Sequence, residues 1–310
     1  MTPRRVSENN VVGTAEEITS DIVLPDSRIP STPEVGSASN AGDIGTEWNI
    51  DEQDDLFASA FCDSWKTDSS VTEEDTTATY ITLGNTVKSF LMLKHYPQTP
   101  VAYQLYEKEY VNQVTMDFAT DAFVKLTWNL MGSNNPTKDT SGNVPTYNDG
   151  TNTRSLTLGS ASTTKSFITK QGWLKYGSAI DALTAVRQSP SMNITINNNL
   201  ERTPALFEED SIENSLGDFV ISGSFDVYNV DALGHTIYND AVAGADKILQ
   251  VAVQRKVGDI TTSYVLTMNV HLGAPSESKN GNKLQFSVPF QVNGNTNLKL
   301  QKIVLDESTD

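Results

Sequence analysis

Residues 113–118 read Gln-Val-Thr-Met-Asp-Phe, and residues 124–130 read Val-Lys-Leu-Thr-Trp-Asn-Leu. Apolar and polar side chains alternate strictly in both. Val114, Met116 and Phe118 face one way and Gln113, Thr115 and Asp117 the other; Val124, Leu126, Trp128 and Leu130 oppose Lys125, Thr127 and Asn129. A period of two predicts strands with one face on a core and one face wet. The same alternation recurs in Met192/Ile194/Ile196, in Leu249/Val251/Val253, in Tyr264/Leu266/Met268/Val270/Leu272 and in Leu284/Phe286/Val288/Phe290/Val292. Turn-forming segments at 133–143, 147–152, 273–282 and 293–297 separate these runs. The fold class this predicts is mainly β, an antiparallel β-sandwich or partial barrel with one or two short helices.

One helix is expected at about 51–65. Asp51 is a candidate N-cap, Glu52, Asp54 and Asp55 put negative charge at the positive end of the helix dipole, and Leu56, Phe57, Ala60, Phe61 and Trp65 form an apolar stripe. The run DEQDD lacks the alternating carboxylates, central glycine and distal glutamate of a calcium loop. A second, weaker helical pattern covers Ser178–Arg187.

Charge is unevenly spread. Of a net −17, residues 1–75 carry four basic and 17 acidic side chains, net −13, leaving −4 for the other 235 residues. No basic cluster offers to displace counterions from phosphates, so contact with nucleic acid is expected to be repulsive or neutral. Residues 1–45 are rich in Ser, Thr, Pro and Gly without periodicity, and read as a flexible arm. The arginines of MTPRRVSENN precede no apolar stretch, so no export signal is expected. No apolar run approaches the roughly 20 residues that span a bilayer.

Two segments echo each other. Gln113–Asp117 matches Asn193-Ile-Thr-Ile-Asn197 in phase, and Lys125–Met131 matches Ser222-Gly-Ser-Phe-Asp-Val-Tyr228. Either the chain holds two copies of one β-unit, or two amphipathic hairpins share a pattern by chance. The wet positions so defined are Gln113, Thr115, Asp117, Lys125, Thr127, Asn129, Asn193, Thr195, Asn197, Ser222, Ser224 and Asp226. They are polar but lightly charged, which suits a water-filled passage for a polyanion as well as a plain exposed sheet face.

Catalytic constellations are not found. His95, His235 and His271 are far apart in sequence, and the single Cys62 provides neither a disulfide framework nor a cysteine-rich metal site. Nucleophile elbows, phosphate-binding loops and dinucleotide fingerprints are missing. No cofactor or metal is expected, and the chain reads as a non-enzyme. A glycosidase-type carboxylate pair is left open by the abundance of acids. Asn193-Ile-Thr195 fits a glycosylation acceptor but falls in an expected strand.

The block Ser89-Phe-Leu-Met-Leu-Lys-His-Tyr96, then Val101-Ala-Tyr-Gln-Leu-Tyr106, Val111-Asn-Gln-Val-Thr-Met116 and Phe123-Val-Lys-Leu-Thr-Trp-Asn-Leu-Met-Gly132 resembles phage tail tube proteins. The order of these elements carries the resemblance over roughly residues 50–305. Departures are a Lys94-His-Tyr-Pro stretch without small turn residues and a longer N-terminal arm. The resemblance implies a structural virion protein whose rings stack on a tape-measure protein into a tube, between a tail terminator and baseplate or tip proteins, assembled in the host cytoplasm. DNA would pass through without specific binding, and no membrane is involved. With the echo, two tandem tube-like units are expected, 46–175 and 176–305, with an acidic tail at 306–310. That favours a trimeric ring with pseudo-six-fold symmetry over a hexameric one. The twelve wet positions become lumen-facing candidates, and the acidic segment Asp51, Glu52, Asp54 and Asp55 would face the lumen or the ring faces. Hairpin flanks would close the ring, while 1–45, 133–152 and the tail would stack. Alternatives are a tail terminator or other tube-like ring protein, a carbohydrate-binding or hydrolytic β-sandwich, and a surface adhesin.

Overall fold

The computed structural model describes residues 8–18, 34–96, 102–132, 136–139, 143–148, 153–156, 164–203, 213–280, 283–294 and 296–308. The strands that build its layers are β1 (Val12–Ile18), β2 (Glu34–Glu47), β3 (Thr76–Ile81), β4 (Phe90–Tyr96), β5 (Ala102–Ala119) and β6 (Lys125–Gly132). They continue with β7 (Trp173–Gly177), β8 (Ser191–Asn197), β9 (Val220–Tyr228), β10 (Asp246–Val257), β11 (Ile260–Leu272), β12 (Lys283–Val292) and β13 (Lys299–Asp306). Two α-helices accompany them, α1 (Asp54–Ala60) and α2 (Ala232–Val242).

All pairings in the layers are antiparallel. One layer runs β2-β6-β5-β8-β9-β12. The other runs β7-β10-β11-β13-β3. They join where Val270–Leu272, the end of β11, takes Phe290–Val292 of β12 on the edge that β13 occupies earlier in the strand, while Val270 and His271 stay paired with β10. The result is the mainly β, sandwich-like partial barrel that the alternation predicts.

The inward residues interdigitate in one core. The first layer contributes Val114, Met116, Leu126, Trp128, Ile194, Phe225 and Phe286, and the second Leu249, Val251, Tyr264, Leu266 and Met268. Trp48, Phe57, Trp128, Phe167 and Tyr264 form a ring cluster that bridges the layers, with neighbouring centroids 5.0–6.0 Å apart. Each such buried ring contributes roughly 2–3 kcal/mol through area removed from water. Gly223 is the inward glycine of β9. A Cβ there would lie 2.7 Å from the Phe290 ring, so its absence lets that ring seat.

The echoing segments lie side by side. Their strands β5 and β8 are neighbours in one sheet, with Gln113 opposite Asn197, Thr115 opposite Thr195 and Asp117 opposite Asn193. The hairpins β5–β6 and β8–β9 therefore lie on either side of a local pseudo-two-fold axis near Thr115 and Thr195, and both feed the same core.

Three expectations about local structure change. The arm does not run to residue 45: residues 34–47 form β2, which pairs with β6 from Asn40–Gly132 to Glu47–Lys125 and with β1 in a hairpin. Small residues permit this close packing; Gly42, at φ +154°, sits where a Cβ would strike the Val11 backbone. The first helix starts at Asp54, because Asp51 takes a left-handed conformation (φ 65°) and Gln53 stands at the N-cap position. Ser178–Arg187 is no α-helix. It makes a 3₁₀ turn at Ile180–Ala182 and a short strand at Thr184–Ala185 held against β7, with Val186 N donating to Leu174 O at 2.7 Å. Ile180 is exposed, so an apolar stripe would have had nothing to pack on.

The true second helix, α2, was not foreseen. Asp231 caps it, accepting from Gly234 N at 2.7 Å, and Ile237 and Ala241 bury one narrow face. Its Tyr238 packs edge-on against Phe286.

Two polar clusters, one half-buried and one fully buried, fix the elements around this core. In the first, Lys302 Nζ lies 2.5 Å from both Asp51 and Asp54, while Tyr264 Oη donates to Asp54 Oδ1 at 2.5 Å. The lysine side chain is 16% and that of Asp54 26% exposed, so this pair is only partly screened and ties α1 to β13 and β11, while Asp51 is 61% exposed. Replacing Lys302 with methionine should cost about 1–2 kcal/mol, between an exposed and a buried pair. The exposed pair Lys66–Asp63 supplies the control, and Lys66→Met should leave the urea midpoint nearly unchanged.

In the second, Glu109 of β5 is fully buried against Asn40 and Gly132, beneath the root of the β1–β2 hairpin. Burial pushes its carboxyl up to about 8, only partly offset by a hydrogen bond with Asn40. The unfolded carboxyl titrates near 4.3. Between those values the folded chain keeps a proton that the unfolded chain has lost, so stability declines as pH rises through this window. Glu109→Gln removes the titration. Urea midpoints of the two proteins should diverge in the variant's favour from pH 5 to pH 8, and a pH-independent gap would refute this account.

Candidate functional site

Because β5, β6, β8 and β9 are consecutive in one antiparallel layer, their polar positions fall on one face. Register pairs Thr127 with Thr115, Thr115 with Thr195, Thr195 with Ser222 and Ser222 with Gln291. Adding Gly45, opposite Thr127, gives a row across six strands without a charged side chain. The flanking rows hold Gln113, Asn129, Asn197 on one side and Asp117, Lys125, Asn193, Ser224 on the other, with Asp226 on β9. All twelve positions singled out from the alternation thus share one contiguous surface, and none is buried.

Side chains on this face hold one another. Asn112 Nδ2 donates to Asn129 Oδ1 at 3.0 Å, and Asn129 Nδ2 to Asp43 Oδ1 at 2.7 Å. The Thr115 and Thr195 hydroxyls meet at 3.3 Å across the pseudo-axis. Asp226 Oδ2 accepts from Ser191 Oγ at 2.5 Å and from Gln285 Nε2 at 2.9 Å. Among the twelve positions only Asp117, Lys125 and Asp226 are charged. Lys125 stands in register between Asp117 and Glu47.

Asp43, Glu47, Gln285 and Ser287 belong to the same face and were not foreseen. Asp43 lay in the expected arm and Glu47 just beyond it; the others follow from the outward phase of β12 once its pairing with β9 is known. A β-bulge at Asn112 re-aims β5 here. Asn112 O accepts from Asn198 N, and Asn198 Nδ2 donates to Ala60 O and Val111 O at 3.0 and 2.9 Å, which docks the end of α1 behind the sheet.

The acidic segment lies elsewhere. Asp51 and Asp54 pair with Lys302 at the mouth of the core, while Glu52 is buried and accepts from Asn49 Nδ2 at 2.8 Å and from the Thr164 hydroxyl. Only Asp55 is both acidic and exposed away from that cluster. None of the four joins the polar face. The reason is the late helix start, which turns Asp51 and Asp54 toward β13.

The remaining chemistry-bearing groups occupy separate places. His271 bonds Asp246 at 2.9 Å, His95 stacks on Tyr103, and burial pushes the Cys62 thiol up to about 11. Among the described residues no cluster of three or more His, Cys, Asp or Glu is arranged to hold a metal ion. Trp48 and Trp128 are locked in the core and Trp65 donates to Asp54 O at 2.8 Å.

A search of curated proteins finds no match to this chain. A family model described as phage tail tube protein matches residues 2–292, a span that contains every strand of the polar layer. With that match across an antiparallel sandwich presenting one lightly charged sheet face, the chain belongs to the phage tail tube protein family.

Proposed function

We propose that this structural tail tube protein closes into rings, that the β2-β6-β5-β8-β9-β12 face lines their lumen, and that stacked rings conduct DNA into the host. One observation carries this reading: the twelve polar positions form a single face with one cation and two anions among them. Phosphates find almost no cationic partner there, and the flanking Asp43 and Glu47 add mild repulsion. The side chains already satisfy one another, so a passing polyanion gains little by binding. The tape-measure protein would occupy the same channel before ejection. A terminator and baseplate or tip proteins would cap the ends, and assembly would take place in the host cytoplasm.

Ring closure also accounts for the free edges of this layer. Among the described residues one edge is the segment Glu8–Ile18, which pairs along the outside of β2; the other is the polar strand Ser276–Asn280, which pairs with β12. Joining these between neighbours removes both edges from solvent. The direction of the echoing strands bears on symmetry. Two tube units related by rotation about the tube axis would keep corresponding strands pointing the same way, whereas β5 and β8 are antiparallel neighbours. This supports one unit per chain, and so a six-fold ring over the three-fold one.

Negative-stain and cryo-electron microscopy of purified protein should reveal hollow tubes with six subunits per ring. Rings that never elongate would favour a terminator, and three subunits per ring would restore the two-unit reading. Replacing Thr115, Thr127 and Thr195 together with lysine should leave assembly intact. Tubes of that variant should retain DNA at low salt and release it as salt rises. Variant tubes that adsorb no more DNA than the parent would argue against a lumenal position for this face.

A further inference from the structure

Four strands meet at one rung of the polar layer. Asn40 of β2 stands opposite Gly132 of β6, Gly132 opposite Glu109 of β5, and Glu109 opposite Phe90 of β4. Among the described residues this is the last rung that β2 and β5 share with β6. Beyond it β2 pairs with β1, and β5 with β4 and the short strand Thr137–Asp139.

The backbone is bent to place an acid at this rung. Between Glu109 and Tyr106, β5 has two residues where β4 has one, and in this bulge Lys108 takes a left-handed φ of 52°. A side chain with a Cβ adopts that conformation under strain, and here Lys108 is exposed while Glu109 is enclosed. Both carboxyl oxygens of Glu109 are buried. A Cβ on Gly132 would strike the Asn40 amide and the Glu109 carboxyl alike, so the glycine is what admits both side chains.

The groups packed around the acid bring it no counter-charge. β2 presents Asn40, β6 Gly132 and β4 Phe90, while α1 contributes Ser59, which accepts from Val111 N at 3.2 Å. Tyr106, on β5 itself, donates to Val11 O at 3.0 Å, and Lys94 of β4 is engaged at the same carbonyl at 3.2 Å. Such a place suits the neutral acid, and burial accordingly pushes the carboxyl up to about 8. Once the proton leaves, the charge reaches water either by unfolding of the chain or by fraying of the rung. Fraying disturbs far less, because the rung ends its ladder and lies outside the β5–β8 pairing, which begins at Gln113.

We infer that Glu109 is a proton-controlled latch: with its proton it closes the Asn40–Gly132–Glu109 rung, and without it the rung opens locally, freeing the root of the β1–β2 hairpin from β6 while the core stays folded. The bulge favours the same opening, since fraying lets Lys108 relax. The closed rung keeps the proton and the open one releases it. Opening therefore grows as pH rises above about 4.3 and levels off above about 8. The latch belongs to the single chain and does not depend on the tube reading.

Hydrogen exchange of the full chain, read by mass spectrometry between about pH 5 and about pH 8 and corrected for the intrinsic rate, tests this. Peptides covering Ser39–Gly42, Tyr106–Val111 and Leu130–Gly132 should lose protection about tenfold per pH unit. They should also stay about a hundredfold less protected than Val114–Phe118 and Tyr264–Val270. Glu109→Gln should flatten the slope at the rung. Glu109→Met, of similar length and without a titrating group, should do the same and serves if the amide variant does not fold. A parent chain without the slope would by itself overturn the latch, and so would a slope that persists in a folded variant. A rung as protected as the core at every pH would mean that the charge is met by global unfolding alone, which also overturns it.

Discussion

The pairing of β5 with β8 is the constraint on which the other features depend. Thr115 faces Thr195 across it, and each strand carries its own hairpin partner outward. A slip of one residue would turn Val114, Met116, Ile194 and Ile196 into water and drive the threonines into the core. The burial of those four side chains therefore fixes the polar face and the core in one step. The bulge at Asn112 belongs to the same arrangement, since it ends the regular register where α1 must approach from behind.

Most of the layers could be read from the chain because period-two alternation is a local property. Gln113–Phe118, Val124–Leu130 and Leu284–Val292 state their in/out phase without reference to any neighbour. What could not be read depends on partners. Residues 34–45 carry no bulky alternation, and become a strand because β6 offers an edge to Asn40–Gly45 and β1 pairs with Glu34–Ala41. Asp51 looks like a cap, yet its carboxylate is claimed by Lys302 from a strand some 250 positions away in the chain. In α2 just Leu233, Ile237 and Ala241 mark the inner side, too little pattern to separate from a loop. The twelve wet positions were legible as wet; that they would form one surface was not, because it requires the order of strands.

Charge is likewise placed by tertiary structure more than by composition. The N-terminal quarter holds most of the net negative charge, yet Asp51 and Asp54 share Lys302, Asp68 pairs with Lys299, and Glu52 is enclosed by Asn49 and Thr164. Asp68 accepts from Ser70 and Gln301 as well; the hydrogen bond from Lys299, and after it those from Ser70, hold its carboxyl down at about 2. What reaches the polar face is a thin residue of that acidity, Asp43 and Glu47. A lightly charged sheet face is thus compatible with a markedly acidic chain.

β11 belongs to both layers, and this has a mechanical consequence. Two sheets held together by side chains alone can shear over one another, because apolar contacts resist separation better than sliding. Here the last three residues of β11 are hydrogen-bonded to β12 while the rest of the strand stays with β10 and β13. Sliding of one layer against the other would have to break that ladder or bend the strand near Asn269. The placement of the two layers relative to each other is therefore imposed by backbone geometry, and a load applied along the polar face passes into the second layer through a continuous strand.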